Sequence, residues 1–109
     1  MFRTIKEWFR NLPTISTKEL ETLLREQYVE LIDVRSPQEY RRAHIKQAKN
    51  IPLEKIIHYR APQDKTVYLI CQSGMRSKKA TKILTKQGYN AVNIRGGMMA
   101  WKGSKIIGS

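Results

Sequence analysis

The chain has 109 residues, a length that fits one domain with a single hydrophobic core. Its single cysteine excludes an internal disulfide, and neither of its two histidines lies at zinc-ligand spacing from that cysteine, so we predict no metal and no cofactor. The formal net charge of +12 favours anionic substrates or acidic partners. No DNA- or RNA-binding motif accompanies the charge, which argues against a specific nucleic-acid partner.

The sequence also bears on the cellular compartment. No apolar run approaches the roughly 18 residues that a membrane-spanning helix needs, and charges interrupt the N-terminal segment where a signal peptide requires a continuous apolar core. A free thiol is typical of reducing compartments. We therefore predict a cytoplasmic protein without a transmembrane segment.

Three regions are predicted along the chain. Residues 1–13 form an amphipathic extension, whose short helix ends at Pro13. We interpret that helix as folded onto its own domain, with a membrane-surface or partner-binding helix as the alternative. The domain itself covers residues 14–103, and the small, polar remainder, 104–109, is predicted to fray.

The domain is predicted to alternate strands and helices. In chain order the elements are a strand at 14–15, a helix opened by a capping box at Ser16, a strand at 29–34, a short helix opened by a capping box at Ser36, a strand at 48–51, a helical turn or two at 52–57, a strand at 67–70, a basic helix at 78–87, a strand at 91–94 and a helical turn at 98–101. This spacing predicts an α/β fold with a parallel sheet covered by helices on both faces. Ligands of such sheets bind at the carboxyl ends of the strands.

One loop carries the candidate chemistry, because the only cysteine opens it between the strand at 67–70 and the basic helix. Its residues are Cys71, Gln72, Ser73, Gly74, Met75, Arg76 and Ser77. At such a junction several backbone N–H groups can point into one small bowl, and the helix N-terminus adds partial positive charge. This setting favours the thiolate of Cys71, a nucleophile in an anion-binding loop, over the alternative of a buried, inert thiol.

The other loop residues are expected to support that nucleophile. Backbone N–H groups of residues 72–76 can stabilise an anionic sulfur, and Gly74 permits a turn that other residues resist. Arg76 offers a charged fork for an anion, or alternatively pairs with Asp33. The hydroxyls of Ser73 and Ser77 can donate to a bound anion, although Ser77 alternatively caps the basic helix.

Five segments together resemble a known family. They are Asp33-Val34-Arg35 and residues 39–45, 48–52, 71–77 and 95–101, in that order. Over residues 14–103 the chain resembles a single-domain rhodanese, a sulfurtransferase. The resemblance implies a three-layer α/β/α fold with a central five-stranded, mainly parallel sheet. It also implies supporting roles for Asp33 and Arg35 and a structural role for His44.

The implied activity is sulfur transfer by covalent catalysis on Cys71. By this resemblance, Cys71 takes sulfur from a small anionic donor, thiosulfate or a persulfide, and holds it as a persulfide. A thiol such as thioredoxin or glutathione, another protein of a sulfur relay, or cyanide then accepts the sulfur. Gln72, Ser73, Gly74, Met75, Arg76 and Ser77 would bind the substrate, with Arg76 on the sulfonate of thiosulfate.

Two positions depart from the family pattern. Ala43 stands where the family usually has glycine, and a positive φ there would cost of order 1 kcal/mol. Gln72 is neutral where active members often carry a basic residue, which is expected to weaken thiosulfate binding.

Two other functions remain as alternatives. Cysteine-dependent phosphatases of a related fold branch have five residues between cysteine and arginine, whereas four separate Cys71 from Arg76. The tighter loop suits a single sulfur atom better than a tetrahedral phosphate. A non-catalytic interaction module is the second alternative, and rhodanese-like modules of that kind lose the cysteine that this chain keeps.

Overall fold

The structure is a computed structural model that describes residues 12–109. Its elements are β1 (Thr14–Ile15), α1 (Thr17–Glu26), β2 (Glu30–Asp33), α2 (Pro37–Arg42), β3 (Ala48–Asn50), a 3-10 helix (Leu53–His58), β4 (Thr66–Ile70), α3 (Met75–Lys86), β5 (Asn90–Ile94) and α4 (Gly97–Ala100). Within residues 12–109, no helix is long and apolar enough to cross a bilayer. The helix predicted for the N-terminal extension lies outside these residues, apart from Leu12.

Both predicted capping boxes are present and fix where the first two helices begin. The Ser16 hydroxyl accepts from the Glu19 N–H at 3.0 Å, and the Glu19 carboxylate accepts from the Ser16 N–H at 3.1 Å. Ser36 and Glu39 repeat the exchange at the start of α2, at 3.2 and 3.0 Å. These reciprocal bonds satisfy main-chain donors that would otherwise lack acceptors in the first helical turn.

The five strands form one parallel sheet in the order β1-β5-β4-β2-β3, which confirms the predicted fold class. Successive side chains of a strand point to opposite faces, so the sheet carries two apolar clusters. Val67 and Leu69 of β4 pack with Ala80 of α3 in one cluster, whereas Ile70 packs with Leu20 of α1 in the other. The result is a three-layer α/β/α domain.

The chain reverses its direction across the sheet between β2 and β4. From β2 the chain moves outward to β3, then returns past β2 to form β4 and continues to β5. The carboxyl ends of β2 and β4 therefore flank the crevice in which parallel sheets bind ligands. Asp33 at the end of β2 pairs with Ile70, the residue before Cys71.

The C-terminal segment, residues 104–109, is bound to the domain, so the predicted fraying was wrong. The N–H of Ile106 donates to the His44 carbonyl at 2.8 Å, and the N–H of His44 donates back at 2.9 Å. The N–H of Gly108 donates to the Arg41 carbonyl at 2.7 Å. The sequence suggested a loose tail, but main-chain hydrogen bonds at Ile106 and Gly108 hold it against the domain.

The segment that receives this tail is itself ordered by His44. Its ring is buried, lies 2.7 Å through Nδ1 from the Tyr40 carbonyl and stacks on the Tyr40 ring at 3.6 Å between centroids. These contacts agree with the structural role assigned to His44. Ala43 has φ −171°, which is extended backbone, so the strain considered for this position does not arise.

Candidate active site

The loop after β4 is shorter than predicted, because α3 begins at Met75 rather than at Lys78. Gly74 is the N-cap and has φ +107°, a left-handed conformation that favours glycine and turns the chain directly into the helix. Met75, Arg76 and Ser77 therefore form the first helical turn, whose N–H groups have no intrahelical acceptor.

Cys71 lies at the base of this loop with 1% of its surface exposed. The Gly74 N–H donates to its Sγ at 3.0 Å, and the Ser77 hydroxyl oxygen lies 3.3 Å from Sγ. Burial alone would fit an inert thiol, but here a main-chain donor is aimed at the sulfur beside a helix N-terminus.

The remaining amides of the loop stay available to a ligand. Among the hydrogen bonds between residues 12–109, none has the N–H of Gln72, Ser73, Met75 or Arg76 as its donor. Of the five N–H groups predicted to surround an anion, that of Gly74 therefore donates to the sulfur of Cys71, and the other four are open to an anion. The side chains of Ser73 and Met75 are exposed, that of Met75 at 65%.

Ser77 does not cap α3 but sits three residues inside the helix, fully buried. Its hydroxyl has Gly74 O at 3.1 Å and Asn93 Oδ1 at 2.5 Å as acceptors, in addition to Cys71 Sγ. Asn93 was not among the predicted site residues. The sequence feature that could have identified Asn93 is its amide side chain within the otherwise apolar strand predicted at 91–94.

Gly97 allows the main chain of α4 to pack closely against the cysteine loop. The Met98 N–H donates to the Cys71 carbonyl at 2.8 Å, and the Met99 N–H donates to the Gln72 carbonyl at 3.0 Å. Gly97 has φ +56°, and a Cβ atom there would overlap both of those carbonyls. The sequence pattern did not indicate this close approach, because a Gly-Gly pair such as Gly96-Gly97 is typical of any tight turn.

Asp33 and Arg35 form a buried ion pair at the end of β2. Arg35 donates to the Asp33 carboxylate from Nε and from Nη2, the latter at 2.8 Å, and Nη2 also donates to the Ala43 carbonyl at 2.7 Å. Its Nη1 reaches Gln72 Oε1 at 3.4 Å. The alternative that pairs Arg76 with Asp33 was therefore wrong, because Arg35 occupies that carboxylate.

Arg76 pairs with Glu39 instead. Its Nη1 and Nη2 donate to the two carboxylate oxygens at 2.7 and 2.9 Å. These bonds are the main cause that lowers the pKa of Glu39 from 4.5 to about 2. They also raise the pKa of Arg76, to which the nearby Cys71 adds a smaller effect. The capping box predicted a helix-starting role for Glu39, and nothing in the sequence pattern indicated its second partner.

An open cleft of ≈ 330 Å³ lies beside the loop. It is lined by Arg35, Glu39, Arg42, Ala43, Gln72, Met98 and Lys105. Three cationic side chains face one carboxylate, so the cleft favours small anions. Lys105 reaches it only because the C-terminal segment is paired with the main chain at His44. Among the described residues, no group of three or more metal-ligating His, Cys, Asp or Glu side chains occurs.

A protein-family model for the rhodanese-like domain matches residues 16–104. Among curated proteins, YtwF of Bacillus subtilis, whose name describes it as a candidate sulfurtransferase, is 41% identical over 92 residues, covering 82% of this chain and 89% of YtwF. A rhodanese-like domain protein of Staphylococcus aureus superposes with a TM-score of 0.83 at 35% identity, over 89% of this chain and 99% of that one. The human single-domain sulfurtransferase TSTD1 superposes at 0.75 with 31% identity, over 84% and 98%.

We expect Gly97→Ala to lower the free energy of unfolding by about 3 kcal/mol, because left-handed strain adds to overlap with two carbonyls. The measurement is urea unfolding. Gly108→Ala is the matched control, since Gly108 also has a positive φ, +101°, but has nothing within 4 Å of an added Cβ. Equal losses at the two positions would show that close packing at Gly97 contributes nothing.

The Glu39–Arg76 pair should stabilise the domain in a pH-dependent way. The folded-state pKa of Glu39, about 2, lies below its ordinary value of 4.5, so its stabilising effect is complete above that value and is lost as the pH falls towards 2. Glutamine can still serve the capping box but carries no charge. Urea unfolding should therefore show wild type more stable than Glu39→Gln at pH 6, with the difference shrinking between pH 4.5 and 2.

The corresponding residue of the first capping box provides the control. Within residues 12–109, Glu19 bonds to Ser16 and to no arginine. The change Glu19→Gln should cost less at pH 6. A pH-independent difference for Glu39→Gln would contradict the assigned ion pair.

Proposed function

Because the chain belongs to the rhodanese-like domain family, we propose that it is a sulfurtransferase that carries sulfane sulfur as a persulfide on Cys71. The main observation in support of this proposal is the hydrogen bond from the Gly74 N–H to Cys71 Sγ, with a length of 3.0 Å. This bond lies at the start of a helix and beside a cationic cleft. A nucleophilic sulfur needs a stabilised negative charge, and an anionic donor needs a positive approach.

In the first half-reaction the Cys71 thiolate attacks the outer sulfur of the donor. With thiosulfate, a new S–S bond forms as the bond from the outer sulfur to the sulfonate breaks, and sulfite leaves with the bonding electron pair. The product is a Cys71 persulfide whose negative charge lies on the outer sulfur. The N–H groups of Gln72, Ser73, Met75 and Arg76, which donate to no acceptor among the described residues, would receive that charge.

In the second half-reaction a thiolate or cyanide attacks the outer sulfur, and Cys71 leaves as the thiolate. Glutathione, thioredoxin or another protein of a sulfur relay would be the cellular acceptor, in the cytoplasm, where thiols stay reduced. Thiosulfate is one donor and small persulfides are another, since both present an electrophilic sulfur.

Donor charge would be recognised at the cleft rather than by Arg76 alone. The two Nη groups of Arg76 already donate to Glu39, so its fork is occupied. Arg42 and Lys105 add positive charge to the lining, and Arg35 Nη1 reaches Gln72 only at 3.4 Å. We assign the sulfonate of thiosulfate to these cations, with Gln72 between them and Cys71.

We expect wild-type protein incubated with thiosulfate to gain the mass of one sulfur atom, which cyanide or a thiol then removes. Cys71→Ser should gain no sulfur and should keep the fold, because the two side chains differ by one atom. The measurements are intact-protein mass spectrometry and circular dichroism.

Two outcomes would contradict this function. Absence of sulfur gain with thiosulfate and with organic persulfides would favour the interaction module. Hydrolysis of para-nitrophenyl phosphate that disappears in Cys71→Ser would favour the phosphatase.

Lys105→Ala should raise the KM for thiosulfate about two- to fivefold, the effect of losing one partly screened charge contact, with kcat unchanged. An uncharged organic persulfide should show no such increase. Lys86→Ala is the control for net charge, because Lys86 ends α3, far along the helix from the loop. A matching increase in the control would indicate long-range attraction in place of a contact at the cleft.

A further inference from the structure

A buried amide lies directly beneath the cysteine loop. Asn93 in β5 is 0% exposed, and its main-chain N–H is already used in the sheet, where it donates to the Pro13 carbonyl at 2.8 Å. Its neighbours in the strand that are buried with it, Ala91 and Ile94, are apolar. Burying a carboxamide costs free energy unless its polar atoms form hydrogen bonds, so its contacts are informative.

Those contacts lead to the reactive sulfur. The Asn93 carboxamide has Oδ1 at 2.5 Å from the Ser77 hydroxyl oxygen, and that oxygen lies 3.3 Å from Cys71 Sγ. The other end of the carboxamide, Nδ2, is buried and has no hydrogen-bond partner among the described residues. A strand residue is thus connected through one hydroxyl to the nucleophile.

Asn93 can affect the sulfur because Ser77 has only one hydroxyl proton to donate. The hydroxyl has one proton and three neighbours that can accept it, which are Gly74 O, Asn93 Oδ1 and Cys71 Sγ. When the proton goes to Asn93, the sulfur receives nothing from Ser77. A half-turn of the carboxamide exchanges Oδ1 and Nδ2 in nearly the same volume. Nδ2 then donates to the Ser77 oxygen, and the hydroxyl proton is released to Cys71.

We infer that Asn93 is a positioning residue that directs the Ser77 hydroxyl onto Cys71 Sγ whenever that sulfur is negatively charged. Two physical preferences support this arrangement. A hydrogen bond to a thiolate is charge-assisted and stronger than one to the neutral Gly74 carbonyl. A buried donor without a partner is rarer in proteins than a buried acceptor with a free lone pair, which favours Nδ2 facing Ser77.

The inference rests on the proposed function for its catalytic consequence. Sγ is negative twice in the cycle, as the nucleophile that attacks the donor and as the leaving group when the outer sulfur passes to the acceptor. The relay from Asn93 through Ser77 acts on Sγ and does not contact the outer sulfur. The second half-reaction, in which negative charge develops on Sγ, should therefore slow by about tenfold when one charge-assisted hydrogen bond is lost, whereas the first should slow only at pH values where the loss lowers the thiolate fraction.

The direct test is a pH titration of the thiolate by its ultraviolet absorbance, with Cys71→Ser in each background as the blank. The chain has one cysteine, so the signal reports a single site. Ser77→Ala should move the titration midpoint up by about one pH unit, whereas Asn93→Leu should move it up by less, because the hydroxyl still reaches the sulfur but loses the donor that orients and polarises it. The double variant should move it no further than Ser77→Ala alone, since Asn93 acts through Ser77.

The charged and titratable groups around Cys71 stay the same in these variants. Arg76 faces it from α3, the buried Asp33–Arg35 pair lies at the end of the neighbouring strand, and Tyr59 and Tyr89 share its apolar cluster. Thr81→Val is the matched control, because it removes a buried hydroxyl that donates to the Ser77 carbonyl at 2.7 Å and does not reach the sulfur. It should leave the midpoint in place.

Asn93→Val covers the case in which Asn93→Leu fails to fold. Valine suits a strand and adds no charge beside the thiolate, and like leucine it neither donates to Ser77 nor accepts from it, so the midpoint should again rise. An unmoved midpoint in a folded Asn93 variant, or an equal shift in Thr81→Val, overturns the relay. The titration needs no sulfur donor, so a wild-type protein that never loads sulfur would overturn the proposed function and leave this inference standing or falling on its own result.

Discussion

The close approach of Gly97 to the carbonyls of Cys71 and Gln72 is the contact on which the site depends. The first two N–H groups after Gly97 bond to those carbonyls and fix two consecutive peptide planes. In a trans peptide the N–H points opposite to the C=O, so the N–H groups of Gln72 and Ser73 must face away from α4. A contact made outside the loop thus decides where the loop presents its donors, and only glycine permits it.

Two arginine–carboxylate pairs also hold the segments around the cysteine loop together, one of them buried and the other partly exposed. The Asp33–Arg35 pair is almost fully buried, so its value lies in joining the end of β2 to Ala43 and Gln72 rather than in attraction alone. The Glu39–Arg76 pair is partly exposed and ties α2 to the first turn of α3. Each pair is neutral overall, so the positive character of the cleft comes chiefly from Arg42 and Lys105.

Local patterns allowed much of the fold to be predicted, because the information lies within a few residues. Ser16 and Ser36 are followed three positions later by glutamate, and both helices begin as expected. The partner of Arg76 lies 37 positions away, and the strand that holds Asn93 meets Ser77 across 16. Such contacts are set by sheet order and helix docking, which a linear pattern does not encode. The contacts of residues 104–109 were missed for the same reason, since the main chain of this segment pairs with His44, which is distant in sequence.

Reactivity and selectivity therefore depend on different parts of the chain. In the proposed mechanism the sulfur of Cys71 is supported by the Gly74 N–H and by Ser77, both buried, so dissolved salt affects these contacts little. In the same proposal, capture of an anionic donor depends on cations that line an open cleft, where salt screens charge interactions with a Debye length of about 10 Å at 0.1 M ionic strength. One of those cations, Lys105, comes from the terminal segment. If the proposed function holds, changes in that segment alter donor preference while the cysteine loop stays the same.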